Sequence, residues 1–207
     1  MFRFGKNSSS SNSGRWLLLL VITFMAPAVV AETYTYDKAK VSFADFEGLV
    51  AQVKSHRESR LIDLDTFLKM SKRPDVVILD SRSKFRFDRL HLEGAKHLNF
   101  SDFTQQNLEE VIPSYDTTVL IYCNNNFTGN ETEFPSKVAL PTAEMMPSAQ
   151  MSVQEKPLML ALNVPVYINL YGYGYRNVYE LHELINVDDP RVEFEGSRSV
   201  EDTKSKF

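Results

Sequence analysis

The chain has 207 residues, a single cysteine and a formal net charge of −4. With 43% hydrophobic and 24% charged residues it can bury an ordinary core, which excludes a disordered or fibrous chain; no repeat of solenoid or propeller period is present. An acidic chain without a cluster of Lys and Arg is a poor partner for nucleic acid, because phosphate binding needs clustered cations.

In chain order, residues 1–31 differ from the rest. Arg3, Lys6 and Arg15 are their only charges, an apolar run follows from Trp16 to Met25, and small residues Val29 and Ala31 close the segment. That is the layout of a secretory signal peptide. A membrane anchor is the competing reading, but the run falls short of the roughly 20 residues needed to span a bilayer. Cleavage after Ala31 would move the net charge from −4 to −7. The pattern therefore predicts export, with a bacterial periplasm as destination.

Residues 32–57 read as an N-terminal lead and a helix, with Ser42 as its N-cap and Phe43, Phe46, Leu49, Val50 and Val53 at helical spacing. Residues 60–62 form a short strand, and Asp63 or Asp65 caps a second helix that stops before Pro74. The apolar run 76–79 reads as a strand buried on both faces. A short helix over 84–90, a turn at Gly94, a strand over 96–100 and a helix from Ser101 or Asp102 come next. A second buried strand, 117–122, ends at Cys123. Residues 129–156 read as an insertion without clear period, of a length that is uncommon in a compact domain. A helix over 158–169, interrupted by Pro165, and a last strand over 177–181 complete a domain at 58–190. Residues 191–207 read as a polar tail.

Alternating helices and apolar strands imply an α/β domain with a mostly parallel sheet. Such sheets gather ligand sites at the carboxyl ends of their strands, where Asp80 and Cys123 both fall. A lone cysteine cannot form an intramolecular disulfide, so in an oxidising compartment it is either buried or used. The four histidines, His56, His91, His97 and His182, make no metal-ligand spacing with it. A cysteine phosphatase would need an arginine six residues after the cysteine, where Gly129 stands, and a dithiol oxidoreductase would need a second cysteine.

The ordered set VVILDSR at 76–82, HLEGA at 91–95, Tyr122-Cys123 with a six-residue loop, and NVYEL at 177–181 resembles the rhodanese-like family. The resemblance spans roughly residues 58–186. It implies a rhodanese-like fold, with helices on both faces of the sheet, and a sulfurtransferase or persulfide carrier in which Cys123 is the nucleophile. Asn124, Asn125, Asn126, Phe127 and Thr128 would form the active-site loop, their backbone N–H groups converging on the sulfur. Arg86 matches a substrate-binding arginine of some relatives. Asp80 and Arg82 are expected as a structural pair, and His91 as a hydrogen-bond partner near the Gly94 turn. No cofactor and no metal is implied. The partners implied are a small sulfur donor with a thiol acceptor or partner protein, and a membrane only if residues 1–31 stay uncleaved.

The loop departs from many sulfurtransferases in lacking a cation beside the cysteine. Glu131 and Glu133 follow it and would raise the thiol pKa, and the insertion delays the helix whose N-terminus would stabilise a thiolate. A second reading therefore stays open: a rhodanese-fold binding or redox-sensing module with a weak or inert cysteine, whose insertion contacts a partner protein.

Overall fold

A computed structural model describes residues 35–140 and 157–198. The expected signal segment 1–31, most of the expected insertion and the last nine residues lie outside the described residues. By its internal contacts the chain divides into Met1–Lys40 and Val41–Phe207; in the first unit only 35–40 are described, and they carry no regular structure.

The second unit is an α/β domain. Its described elements are α1 (Phe43–Glu58), β1 (Leu61–Ile62), α2 (Leu64–Ser71), β2 (Val76–Asp80), α3 (Lys84–Arg89), β3 (His91–Leu92), β4 (Lys96–His97), α4 (Gln105–Val111), β5 (Thr118–Tyr122), β6 (Phe127–Thr128), β7 (Val138–Ala139), β8 (Leu158–Met159), α5 (Asn163–Gly172), β9 (Val178–Leu181), β10 (Ile185–Asn186) and β11 (Phe194–Glu195). The central sheet has the order β1-β9-β5-β2-β4, and every neighbouring pair is parallel. β5 lies at its centre, in register with β2 from Val76↔Thr118 to Asp80↔Tyr122.

Both faces of the sheet are covered, which explains why β2 and β5 read as unbroken apolar runs. Leu79, Val119, Ile121 and Val178 point to one face and pack against Val53 of α1, Leu108 of α4 and Val166, Tyr167, Ile168 and Leu170 of α5. Leu120, Tyr122 and Leu181 point to the other, against Leu64 and Phe67 of α2 and against Phe127 and Phe134. The caps follow the sequence where side chains compete for free amides. Ser42 accepts from the Asp45 amide at 3.1 Å and Asp63 from Thr66 at 2.8 Å. Gly94 turns the chain between β3 and β4 at φ 72°, a conformation that favours glycine.

Several elements differ from the sequence expectation. The strand expected over 96–100 stops at His97, because Asn99 caps a short 3-10 turn at Phe100–Asp102. α4 begins after Thr104, whose hydroxyl accepts from Asn107, and not at Ser101 or Asp102. The helix expected over 158–169 begins only at Asn163, so that Pro165 sits in its first turn, where its missing N–H costs nothing. Leu158 and Met159 instead pair antiparallel with β7. β9 is not the last strand: β10 pairs with β6, and β11 pairs antiparallel with β3. The expected polar tail thus starts later than 191, for Val192 and Phe194 pack into the second core. Among the described residues no helix is long and apolar enough to cross a membrane.

One buried ionic group ties the carboxyl ends of β2 and β5 together. Asp80 accepts from the Arg82 amide at 2.9 Å, from Arg82 Nε at 3.0 Å and Nη2 at 2.7 Å, and from the Tyr122 hydroxyl at 2.6 Å. Arg82 also donates to the Leu90 carbonyl at 2.7 Å and to Asn124 Oδ1 at 3.2 Å, with Phe134 stacked against its guanidinium. Both charges are essentially inaccessible. Removing one partner strands the other in the core, so Arg82→Met is expected to lower the unfolding free energy by about 3–5 kcal/mol. Urea denaturation reads this as a lower midpoint at unchanged slope.

Candidate functional site around Cys123

β5 delivers Cys123 to the carboxyl edge of the sheet, where the chain leaves the strand and turns through a 3-10 segment, Asn124–Asn126. Side chains alternate along a strand. Tyr122 and Asn124 therefore reach to the Asp80–Arg82 side, while Cys123 points to the α5 side. Its side chain is buried, the residue being 2% exposed.

Burial pushes the Cys123 thiol up from its ordinary value, because a thiolate loses hydration there. Three backbone amides face the sulfur and act in the opposite direction: those of Asn125, Asn163 and Leu162. Two of the three belong to the start of α5. The helix that the insertion was expected to remove from the site is thus restored to it, because the chain returns through β8 and begins α5 against the cysteine. The positive end of a helix favours a thiolate.

The carboxylates that were expected to raise the thiol pKa are engaged by other partners. Glu133 is inaccessible and paired with Arg89, whose Nε donates to it at 2.6 Å. Glu131 accepts from the Gly129 amide at 3.2 Å. Glu180 of β9 raises the Cys123 pKa, a smaller influence than burial, and Arg57 forks it with two bonds of 2.5 Å. The correction has a simple cause: neighbours in sequence after a turn are not neighbours in space.

The loop residues divide in the same way. Asn125 contributes its amide to the sulfur, but its side chain is locked to the backbone of Lys137. Asn126 Oδ1 accepts from the Cys123 amide at 2.9 Å, and its Nδ2 donates to the Leu181 carbonyl at 2.8 Å. Asn124 serves Arg82. Phe127 is buried in the second core, and Thr128 lies in β6, its hydroxyl directed to Glu131 and not to the sulfur. The three asparagines are consumed in holding the loop.

Arg86 is not a free anion-binding cation. It donates to the Thr132 carbonyl and lies 3.9 Å from Glu133. Asp80 and Arg82 are the structural pair expected. His91 does bond to backbone, but to the Phe87 carbonyl of α3 at 2.7 Å and not at the Gly94 turn, and it stacks on Phe87 at 3.7 Å. Among the described residues no group of His, Cys, Asp and Glu has the makings of a metal site. A cavity of about 570 Å³ lies between α2, β3 and residues 191–195, lined by Phe67, Ile78, Glu93 and Glu193 among others, and Cys123 is not part of its wall.

Sequence reasoning missed Leu162 and Asn163, whose amides reach the sulfur from 39 and 40 residues downstream. Pro165 was the available signal, since proline favours a first helical turn. Because burial dominates, the rate of Cys123 alkylation by iodoacetamide is expected to rise with pH along a curve whose midpoint lies above that of free cysteine. Unfolding in urea should move the midpoint down to the ordinary value, because the raised pKa belongs to the folded state.

Residues 63–143 match the family model for the rhodanese-like domain. Among solved structures, the BH2092 protein from Bacillus halodurans is 12% identical at a TM-score of 0.37, with 66% of this chain and 76% of that chain covered. A variant of EanB in complex with hercynine is 14% identical at a TM-score of 0.37; 63% of this chain is covered, but only 25% of that one. No curated protein matches the chain. The matched stretch, which holds Asp80, Arg82, His91 and Cys123, and the parallel α/β sheet around it show a rhodanese-like fold and support the rhodanese-like family for this chain.

Proposed function

We propose that the protein is a rhodanese-type sulfurtransferase or persulfide carrier, with Cys123 as its nucleophile. The observation that carries this reading is the buried position of Cys123 at the carboxyl end of β5, where the backbone of Asn125, Leu162 and Asn163 favours a thiolate against burial. Three N–H donors and a helix N-terminus in a buried place suit an anion held on that atom. The reaction is a displacement at sulfane sulfur. The Cys123 thiolate attacks the outer sulfur of a donor such as thiosulfate, a new S–S bond forms, and the old S–S bond breaks with its electron pair leaving on sulfite. A cyanide or thiolate acceptor then takes the outer sulfur and returns the cysteine thiolate. No external oxidant or reductant enters.

Burial of the thiol and the lack of a basic residue over 124–128 favour slow chemistry and a small donor. These same two features support the second reading, a binding or redox-sensing module whose insertion 129–156 meets a partner protein. Export to a bacterial periplasm, with a membrane contact only if residues 1–31 are retained, belongs to the proposal as well.

Mature protein and Cys123→Ser are incubated with thiosulfate, 3-mercaptopyruvate or polysulfide, and intact mass is read for one added sulfur. Wild type is expected to gain it and to release it to cyanide, and Cys123→Ser is expected to gain none. A wild type that takes sulfur from no donor ends the enzyme reading; partner capture that needs 129–156 and survives Cys123→Ser supports the second. Full-length chain expressed in a Gram-negative host is expected in the periplasmic fraction with a mass that begins at Glu32.

A further inference from the structure

Ser81 lies between Asp80 and Arg82 in sequence but faces the other side of the sheet. Tyr122 binds Asp80 at 2.6 Å and Arg82 binds Asn124 at 3.2 Å, so the pairs 80/122 and 82/124 share one face. The ladder is in register at Asp80↔Tyr122. Alternation then sets Ser81 beside Cys123 on the opposite, α5-facing side, to which Leu79 and Ile121 also point. Adjacent strands are only about 5 Å apart. The two side chains are neighbours.

Ser81 is 3% exposed, and among the described residues its Oγ has no hydrogen-bond partner. A buried hydroxyl without a partner is destabilising, and such a group calls for a reason. Asn163 shows the complementary fault. It is 6% exposed, its own amide faces the Cys123 sulfur, and among the described residues its Oδ1 is unpaired. The orientation of that side chain is determined by its neighbour. Asn126 Nδ2 donates to the carbonyls of Leu181 and Glu183, which leaves Asn126 Oδ1 to accept from Asn163 Nδ2 at 3.0 Å. The oxygen of Asn163 is therefore the atom left over.

An unpaired hydroxyl on the residue that register sets beside Cys123, and an unpaired acceptor on a residue whose own amide acts on the thiol, thus belong to one neighbourhood, and the thiol itself satisfies neither. An atom attached to the sulfur, about 2 Å further out, would offer both a partner. We propose that Ser81 and Asn163 hold the sulfur cargo: the Ser81 hydroxyl donates to the outer sulfur of the Cys123 persulfide anion, and Asn163 Oδ1 accepts from that sulfur when it is protonated. This rests on the sulfur-carrying reading above and deepens it, for it assigns the residues that hold the transferred atom. The persulfide forms by the balanced displacement already described. Ser81 stabilises the anionic form, which is the less electrophilic one, and so guards the sulfur against loss.

The test uses full-length wild type, Ser81→Ala and Ser81→Thr, each loaded with polysulfide. Intact mass follows the loaded fraction, sulfur loss to cyanide is timed across a pH series, and thermal midpoints are recorded. Because its hydroxyl is unpaired, Ser81→Ala is expected to keep or raise the thermal midpoint. It should load sulfur but lose it roughly tenfold faster, as fits the removal of one hydrogen bond to a charged group. Its cyanolysis profile should move to higher pH, since the persulfide holds its proton longer, and Ser81→Thr should restore both lifetime and profile. Equal lifetimes and profiles in wild type and Ser81→Ala overturn the assignment while leaving sulfur carriage intact. A lower thermal midpoint in Ser81→Ala with an unchanged profile makes Ser81 structural and also overturns it. A wild type that takes sulfur from none of polysulfide, thiosulfate and 3-mercaptopyruvate overturns the carrier reading and this assignment with it.

Discussion

The Asp80–Arg82 pair sets the geometry of everything at the carboxyl edge of the sheet. Two opposite charges with almost no solvent access are tolerable only when each remaining lone pair and N–H finds a partner. Here the partners come from four directions: the Tyr122 hydroxyl of β5, the Leu90 carbonyl after α3, the Asn124 side chain of the loop and the ring of Phe134. Burial and the adjacent carboxylate push the Tyr122 hydroxyl well above its ordinary range, so it keeps its proton and donates it. The network therefore fixes β2 against β5, fixes the first loop residue after Cys123, and holds Phe134 in the core.

That constraint has a consequence for Cys123. With Tyr122 and Asn124 both drawn to the charged side, strand alternation turns the cysteine between them to the α5 side. The thiol is placed by what its neighbours bind. There it meets two opposing influences, the loss of hydration that favours the neutral thiol and the three amides that favour the thiolate. Burial is the larger of the two.

The insertion is less of an interruption than its composition implies. Phe127 and Phe134 pack in the second core with tilted rings 4.5 Å apart, Glu133 is neutralised by Arg89, and β7 pairs with β8 to bring the chain back. Sequence patterns miss this because no period marks isolated anchors. A single buried phenylalanine or a single ion pair, placed by contacts more than 40 residues away, leaves no local signature. The same holds for Leu162 and Asn163, whose amides belong to the backbone and so carry no residue preference at all.

What the sequence determined by itself was the α/β class, the two buried strands, the Asp80–Arg82 pair and the position of Cys123 at a strand end. Each depends on local periodicity or on motifs within a few residues, and these survive without knowledge of the fold. What only the tertiary structure decided was the environment of the thiol: the amides from α5, the neutralised Glu133, the engagement of Arg86 and the Ser81 hydroxyl, unpaired among the described residues. Those depend on which strand lies beside which and on which face each side chain takes, and both are settled by long-range packing around the buried charges.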